Sequence, residues 1–323
     1  MKKVIGIGNA LVDLMTRIES DSLLAGLKLP KGSMQLVDKI ASRDIIEKTK
    51  NLQRTIASGG SAANTIHGLS RLGISSGFIG KIGRDEMGRF FKEDMEKSNI
   101  KTFLLESNSD SGVAVALVSP DGERTFAVHL GAAVELSAQD LEASFFKGYD
   151  LLHVEGYLIQ NYSLIETACN MAKKNGLKIS LDLASFNVVE AHRDFLTYIS
   201  KEFADIIFAN EDEAKAITGH KPEDALIHIA EWCDVAVVKI GKDGSLIKTG
   251  GEIFKINSEK ANVVDTTGAG DLYASGFIFG LLKEISINEC GRFGSLLGKH
   301  VIEQIGAKIP DIEWEEIKKE IKQ

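Results

Sequence analysis

The stretch "DTTGAGD" (265–271) sets Gly268, Ala269 and Gly270 directly in front of a single carboxylate, Asp271. Leu272, Phe277, Ile278, Leu281 and Leu282 follow at helical spacing, so a helix is expected to start near Gly270 or Asp271. A helix start offers free N–H groups and partial positive charge, and small residues before it let an anion come close. Two readings are open: a glycine turn with Asp271 as its cap, or a phosphate hole with a carboxylate beside it. A carboxylate next to a phosphoryl group is unfavourable unless it has a task. The task open to it is accepting a proton from an attacking hydroxyl.

Other stretches are candidates on the same terms. "SGGSAANTIHGLSRLG" (58–73) has Gly59 and Gly60 before a helix whose first turn carries Asn64, a carboxamide that can face a ligand hydroxyl. Asp13 lies just past the first strand and would face the same crevice. "NEDE" (210–213) reads by itself as an N-cap and acidic first turn. "KIGKDG" (239–244) reads as a turn, a plain hairpin being one account of it. "GIGNAL" starts like a dinucleotide fingerprint but ends in Leu11, and no phosphate loop of the G-x-x-x-x-G-K-[ST] form occurs.

The elements that must position these residues alternate. "DLLHVEG", "LKISLDLAS", "ADIIFAN" and "DVAVVKIG" read as buried strands separated by helix-like segments. That rhythm predicts an α/β fold with a doubly wound, mostly parallel sheet and helices on both faces. "VIGIG" and "SGFIGKIG" are expected in the same sheet. Residues 14–38 and 101–132 break the rhythm with extended pieces, the last two joined across "PDG", and predict a small β-sheet lid inserted into one domain spanning 1–323.

Composition narrows the admissible functions. The chain has 323 residues, 44% hydrophobic and 26% charged, the profile of an ordinary globular protein. Its net charge of −8 argues against nucleic acid as a partner. Three scattered cysteines suggest neither a disulfide framework nor a zinc site. No run approaches about 18 apolar residues, so no membrane partner is expected, and a cytoplasmic protein is the default.

Taken together, the motifs resemble the PfkB carbohydrate kinases of the ribokinase superfamily. "GGSAAN" (59–64) and "DTTGAGD" look like the two signatures of that family, with "GKIGRDEMG" (80–88) after the first. The resemblance implies ATP and Mg²⁺ as cofactors, with a monovalent cation common in the superfamily. It assigns Asp271 as catalytic base and Gly268, Ala269 and Gly270 as the anion hole. It places Asn9, Asp13, Gly59, Gly60 and Asn64 around the acceptor. Lys239, Gly241, Gly244 and Thr266 would lie near ATP, and Asn210 and Glu213 near the magnesium. Ser61 departs from ribokinases, which carry Lys there. "GIGNALVDL", "LPKGSMQLVD" and "GERTFAVHLGAA" look more like the adenosine-kinase branch. The expected acceptor is therefore the 5′-hydroxyl of adenosine, with a kinase of ribose, fructose or 2-keto-3-deoxygluconate as the alternative and a non-catalytic nucleoside-binding regulatory protein behind it. The adenine contacts are left open, with Lys299 and His300 close to them, and the assembly expected is a monomer or a lid-mediated homodimer.

Overall fold

A computed structural model describes residues 2–321. Nine strands form the main sheet in the order Glu252–Ile256, Ser245–Thr249, Val235–Lys239, Ile206–Asn210, Lys178–Asp182, Leu151–Glu155, Lys3–Ile7, Ser75–Gly83, Ile100–Ser107. All neighbours are parallel except the two pairings that end the sheet at Glu252–Ile256. Successive residues go to opposite cores: Phe208, Val235 and Val237 pack on one side, Ile207, Ala209, Ala236 and Val238 on the other. Strands buried on both faces read as continuous apolar runs, which is why they stood out in the sequence.

The second sheet has five strands, in the order Met34–Leu36, Arg124–His129, Gly112–Val118, Leu11–Arg17, Arg54–Gly59. Its membership differs from the expected lid segments in two places. "KTFLLES" runs parallel to Ser75–Gly83 at the edge of the main sheet, because Ile100 and Leu104 pack into one core while Phe103 and Leu105 pack against the other. Alternation shows that a segment is extended but not which sheet it joins. Arg54–Gly59, expected only as the approach to a helix, is an edge strand paired with Leu11–Arg17.

Three helices carry or support the two glycine motifs. Ser61–Arg71 is capped by Gly60 and Ala269–Leu282 by Gly268, and the second helix begins one residue earlier than expected. These two pack so closely that a Cβ on Gly68 would lie 2.5 Å from Ser275 Oγ. Ile287–Ile302 covers the other side of Ala269–Leu282, against Gly276 and Gly280, where added Cβ atoms would meet Phe293 O and Cys290 Sγ at 2.3 and 2.7 Å. The Ala269–Leu282 helix is consequently buried from Leu272 through Gly280 on every side. Among the described residues no helix is long and apolar enough to cross a membrane.

Candidate active site

The main sheet reverses its winding between Lys3–Ile7 and Leu151–Glu155, and open α/β sheets place ligands at that point, beyond the carboxyl ends of the strands. The carboxyl ends here carry a row of polar residues in sheet order: Lys239, Asn210, Asp182 and Glu155, with Asn9 two residues past Ile7. Glu155 Oε1 accepts from Asn9 N–H at 2.8 Å and Asn9 Nδ2 at 2.6 Å, closing the reversal point. Its other oxygen accepts from Ala62 N–H at 2.9 Å, satisfying the start of the Ser61–Arg71 helix. Burial pushes the Glu155 carboxyl up to about 7, against these three donors.

Asp271 occupies the third position of its helix and faces the other glycine motif. Its Oδ1 accepts from Ser61 Oγ at 2.8 Å and its Oδ2 from Asn64 Nδ2 at 2.9 Å. Two motifs some 200 residues apart in sequence thus share one hydrogen-bonded group. Burial pushes Asp271 up to about 6, and both donors restrain the rise. In front of it, the first helical bond runs from Leu272 N–H to Gly268 O at 2.8 Å, so the N–H groups of Gly270 and Asp271 have no protein acceptor among the described residues. Gly268 has φ +78°, and a Cβ there would lie 2.6 Å from Ala307 Cβ, so the loop needs glycine for its own shape.

Lys239 closes this end. A Cβ on Gly270 would stand 2.9 Å from Lys239 Nζ, which places the ammonium over the helix start. Lys239 pairs with Asp182 at 3.2 Å. Burial works against the lysine's charge, but Asp182 and Glu213 together hold it above the ordinary lysine range. Unbonded N–H groups at a helix start beside an ammonium are chemically able to receive an anion of phosphate size, and the Asp271 and Asp182 carboxylates flank this position.

Asp13 lies on the second sheet and shares its face with Met15, through which the sheet touches the C-terminal turn: a Cβ on Gly306 would be 2.7 Å from Met15 Sδ. Burial pushes Asp13 up to about 7. The glycine pair beside it is shaped by this packing. A Cβ on Gly59 would strike the Asp13 carboxyl group at 2.3 Å, and one on Gly60, at φ +97°, would meet Asn9 O at 2.1 Å.

The remaining expected residues divide. Asn210 and Glu213 form a capping box: Asn210 Oδ1 accepts from Glu213 N–H at 2.9 Å, and Glu213 Oε2 accepts from Asn210 N–H at 2.8 Å. Glu213 is also buried, and burial together with neighbouring Asp182 pushes it up to about 7. Gly244, at φ +96°, serves the hairpin, since a Cβ would lie 1.9 Å from Ile256 O; Gly241 and Thr266 are exposed on their turns. Lys299 is half-buried, and His300 turns away to Glu313 at 3.1 Å. Among the described residues no three His, Cys, Asp or Glu side chains gather as a metal cluster.

Sequence reasoning missed Glu155, Asp182, Arg124, Asp265 and Lys308. The first two carried a usable signal, an acid closing an apolar strand in "LLHVE" and "KISLD". Asp265 is fully buried: it accepts from Thr267 N–H at 2.6 Å and Gly306 N–H at 2.7 Å, and pairs with Arg124 of the second sheet. Nothing local announces that pairing.

The pfkB family carbohydrate kinase pattern matches residues 35–314. A probable sugar kinase from Rhizobium etli CFN 42 superposes with a TM-score of 0.88 at 30% identity, covering 99% of each chain. An adenosine kinase from Sinorhizobium meliloti gives 0.85 at 32% identity over 95% of each. A 5-dehydro-2-deoxygluconokinase from Bacillus subtilis is 29% identical over 80% of this chain and 83% of its own length. With both signature motifs meeting at Asp271 on a ribokinase-like sheet, the chain belongs to the pfkB family of carbohydrate kinases and is a kinase.

Proposed function

We propose that this kinase transfers the γ-phosphoryl group of ATP to the 5′-hydroxyl of a nucleoside such as adenosine. One observation carries the choice of acceptor: next to Asp13 the face of the second sheet is mainly apolar, with Arg17, Thr55 and Arg124 as its other polar residues. Register puts Met15, Ala114, Ala116, Phe126, Val128, Met34 and Leu36 on that face, and Met34 and Leu36 are well exposed. One carboxylate in an apolar wall suits a ligand with a polyol at one end and a flat base at the other, because hydroxyls need an acceptor and a base needs only contact.

Asp271 takes the proton of the attacking hydroxyl, and its position is fixed because both oxygens are held. A carboxylate pushed up to about 6 is ionised at neutral pH yet more basic than an ordinary aspartate, which suits a general base. The free N–H groups at the helix start and the Lys239 ammonium face the transferring phosphoryl group and offset its charge. Asp182 and Asn210 end neighbouring strands, Glu213 lies in the helix turn capped by Asn210, and the three fit a magnesium ion held mainly by phosphates and waters. That ion, when bound, neutralises phosphate charge. The second sheet, acting as a lid, keeps water from competing with the acceptor.

Ser61→Ala tests the arrangement around the base. Removing a donor to ionised Asp271 raises its pKa, so the acidic limb of kcat against pH is expected to move to higher pH, with turnover recovering as pH rises. An unmoved limb would separate Ser61 from the chemistry.

The acceptor is tested by ATP-coupled turnover on adenosine, guanosine, ribose, fructose, 2-keto-3-deoxygluconate and 5-dehydro-2-deoxygluconate. Adenosine is expected to give the highest kcat/KM. The name of the Bacillus subtilis relative favours a keto-sugar acid instead, and preference for it over adenosine overturns the nucleoside reading while leaving the kinase in place.

A further inference from the structure

Lys308 is a cation on the acceptor side of the crevice that has no part in the phosphoryl transfer itself. It follows the turn at Gly306 that lies against Met15. Its Nζ donates to Ser58 Oγ at 3.2 Å, and Ser58 donates in turn to Asp94 Oδ2 at 2.7 Å. Ser58 is fully buried and adjoins Gly59, the residue over which the Asp13 carboxyl group lies. Ammonium and carboxylate therefore sit at neighbouring residues of one edge strand.

The surrounding charges make this placement consequential. Asp13 is faced by Lys308 from the C-terminal turn and by Asp271 from the Ala269–Leu282 helix. Lys308 is faced most strongly by Asp94, from the Glu86–Lys97 helix, then by Asp13 and Asp271; His67 of the Ser61–Arg71 helix feels Lys308 and Arg71. Burial and Asp271 both drive Asp13 toward its neutral form, and Lys308 opposes them. Burial also pushes Lys308 down to about 8, against the pull of three carboxylates. A neutral carboxyl group keeps one hydrogen to donate and loses part of its capacity to accept, so an acceptor offering two hydroxyl hydrogens binds the ionised form better.

We propose that Lys308 is a positioning residue for the acceptor: its ammonium, anchored on Ser58, supplies the counter-charge that holds Asp13 in the hydroxyl-accepting form beside Asp271. The inference rests on Asp13 as the partner of the acceptor's hydroxyls. It does not depend on which nucleoside or sugar supplies them.

The test uses Lys308→Met and Lys308→Arg in the full chain, with two readouts. In ligand-free protein, carboxyl-carbon NMR follows the titration of Asp13, assigned by its loss in Asp13→Asn. The midpoint is expected to rise by about one pH unit in the methionine variant and to return in the arginine variant. In turnover, the acceptor KM at pH 7 is expected to rise about fivefold, because a midpoint moved up one unit from about 7 cuts the ionised share of Asp13 from about a half to about a tenth, with kcat little changed and KM recovering at higher pH. An unmoved midpoint overturns the proposal. A moved midpoint with an unmoved KM also overturns it, because the charge pairing then does nothing for the acceptor. A purely structural tether to Ser58 would lower stability and leave the pH dependence of KM where it was. Should the methionine variant fail to fold, Lys308→Gln keeps a donor to Ser58 and carries the same titration. A chain that phosphorylates no tested acceptor overturns the kinetic reading of Asp13 while still giving the titration result.

Discussion

Asp271→Asn is expected to lower kcat by about 10²–10⁴-fold, the usual contribution of a positioned general base. The substitution is nearly isosteric, and the site can absorb it. Ser61 still donates to Oδ1, and the Asn64 amide, whose Oδ1 is buried without a donor, can turn over to accept from the new Nδ2. Stability should not fall with the activity. A carboxyl group held above its unfolded value binds protons more tightly in the native state, so its ionisation destabilises the fold as pH rises through that range. At pH 7 the variant is therefore expected to resist urea at least as well as the parent. It is also expected to lack the acidic limb of kcat near pH 6 that ionisation of Asp271 gives the parent if Asp271 is the base. A variant within about tenfold of parental kcat would remove Asp271 from the base role.

What could be read from the sequence depended on the length scale of the interaction. The strands of the main sheet were legible because each is buried on both faces, and that burial is written locally as a run such as "VAVVK". "DTTGAGD" and "GGSAAN" were legible for a similar reason: small residues before a helical pattern mean close approach of something to a backbone. The meaning of the two was not local. Ser61 and Asn64 meet Asp271 only because the Ser61–Arg71 and Ala269–Leu282 helices cross closely at Gly68 and Ser275. Asn64, expected to face the ligand, spends its amide nitrogen on Asp271. Glycine gave a mixed signal throughout, since Gly59, Gly60, Gly244 and Gly268 are all required by the protein's own packing. The signature glycines therefore mark where chain segments crowd together, and the site forms where the crowding leaves N–H groups free. "NEDE" shows the converse, a capping box that would exist without any ligand and whose buried Glu213 nonetheless lies at the carboxyl edge with Asp182 and Lys239. Sheet membership was the least legible, because "KTFLLES" and "RTIASG" differ from strands of the other sheet in what covers them, which neither segment encodes.

Arg124→Met is expected to destabilise the fold by about 3 kcal/mol, the lower end for breaking a buried ion pair on one side, since Arg124 is 16% exposed and Asp265 1%. The methionine fills the stem's volume but leaves Asp265 charged in the interior with only the Thr267 and Gly306 N–H donors. Arg124 also donates to Val264 O at 3.0 Å, so the variant is expected to loosen both the loop before the Ala269–Leu282 helix and the second sheet at once. Removing the charge from both sides should repair most of the loss. In Arg124→Met/Asp265→Asn the amide oxygen can keep one of the two N–H donors, and the double-mutant cycle is expected to show a coupling of about 1–3 kcal/mol in urea unfolding. Turnover carries the functional half of the prediction. If this pair holds the second sheet over the phosphate end, the single variant should hydrolyse ATP in the absence of acceptor faster than the parent, because water enters where the sheet no longer closes. A coupling near zero would mean that Asp265 draws its stability from the two backbone donors alone, and unchanged ATP hydrolysis would uncouple the second sheet from protection of the phosphoryl group.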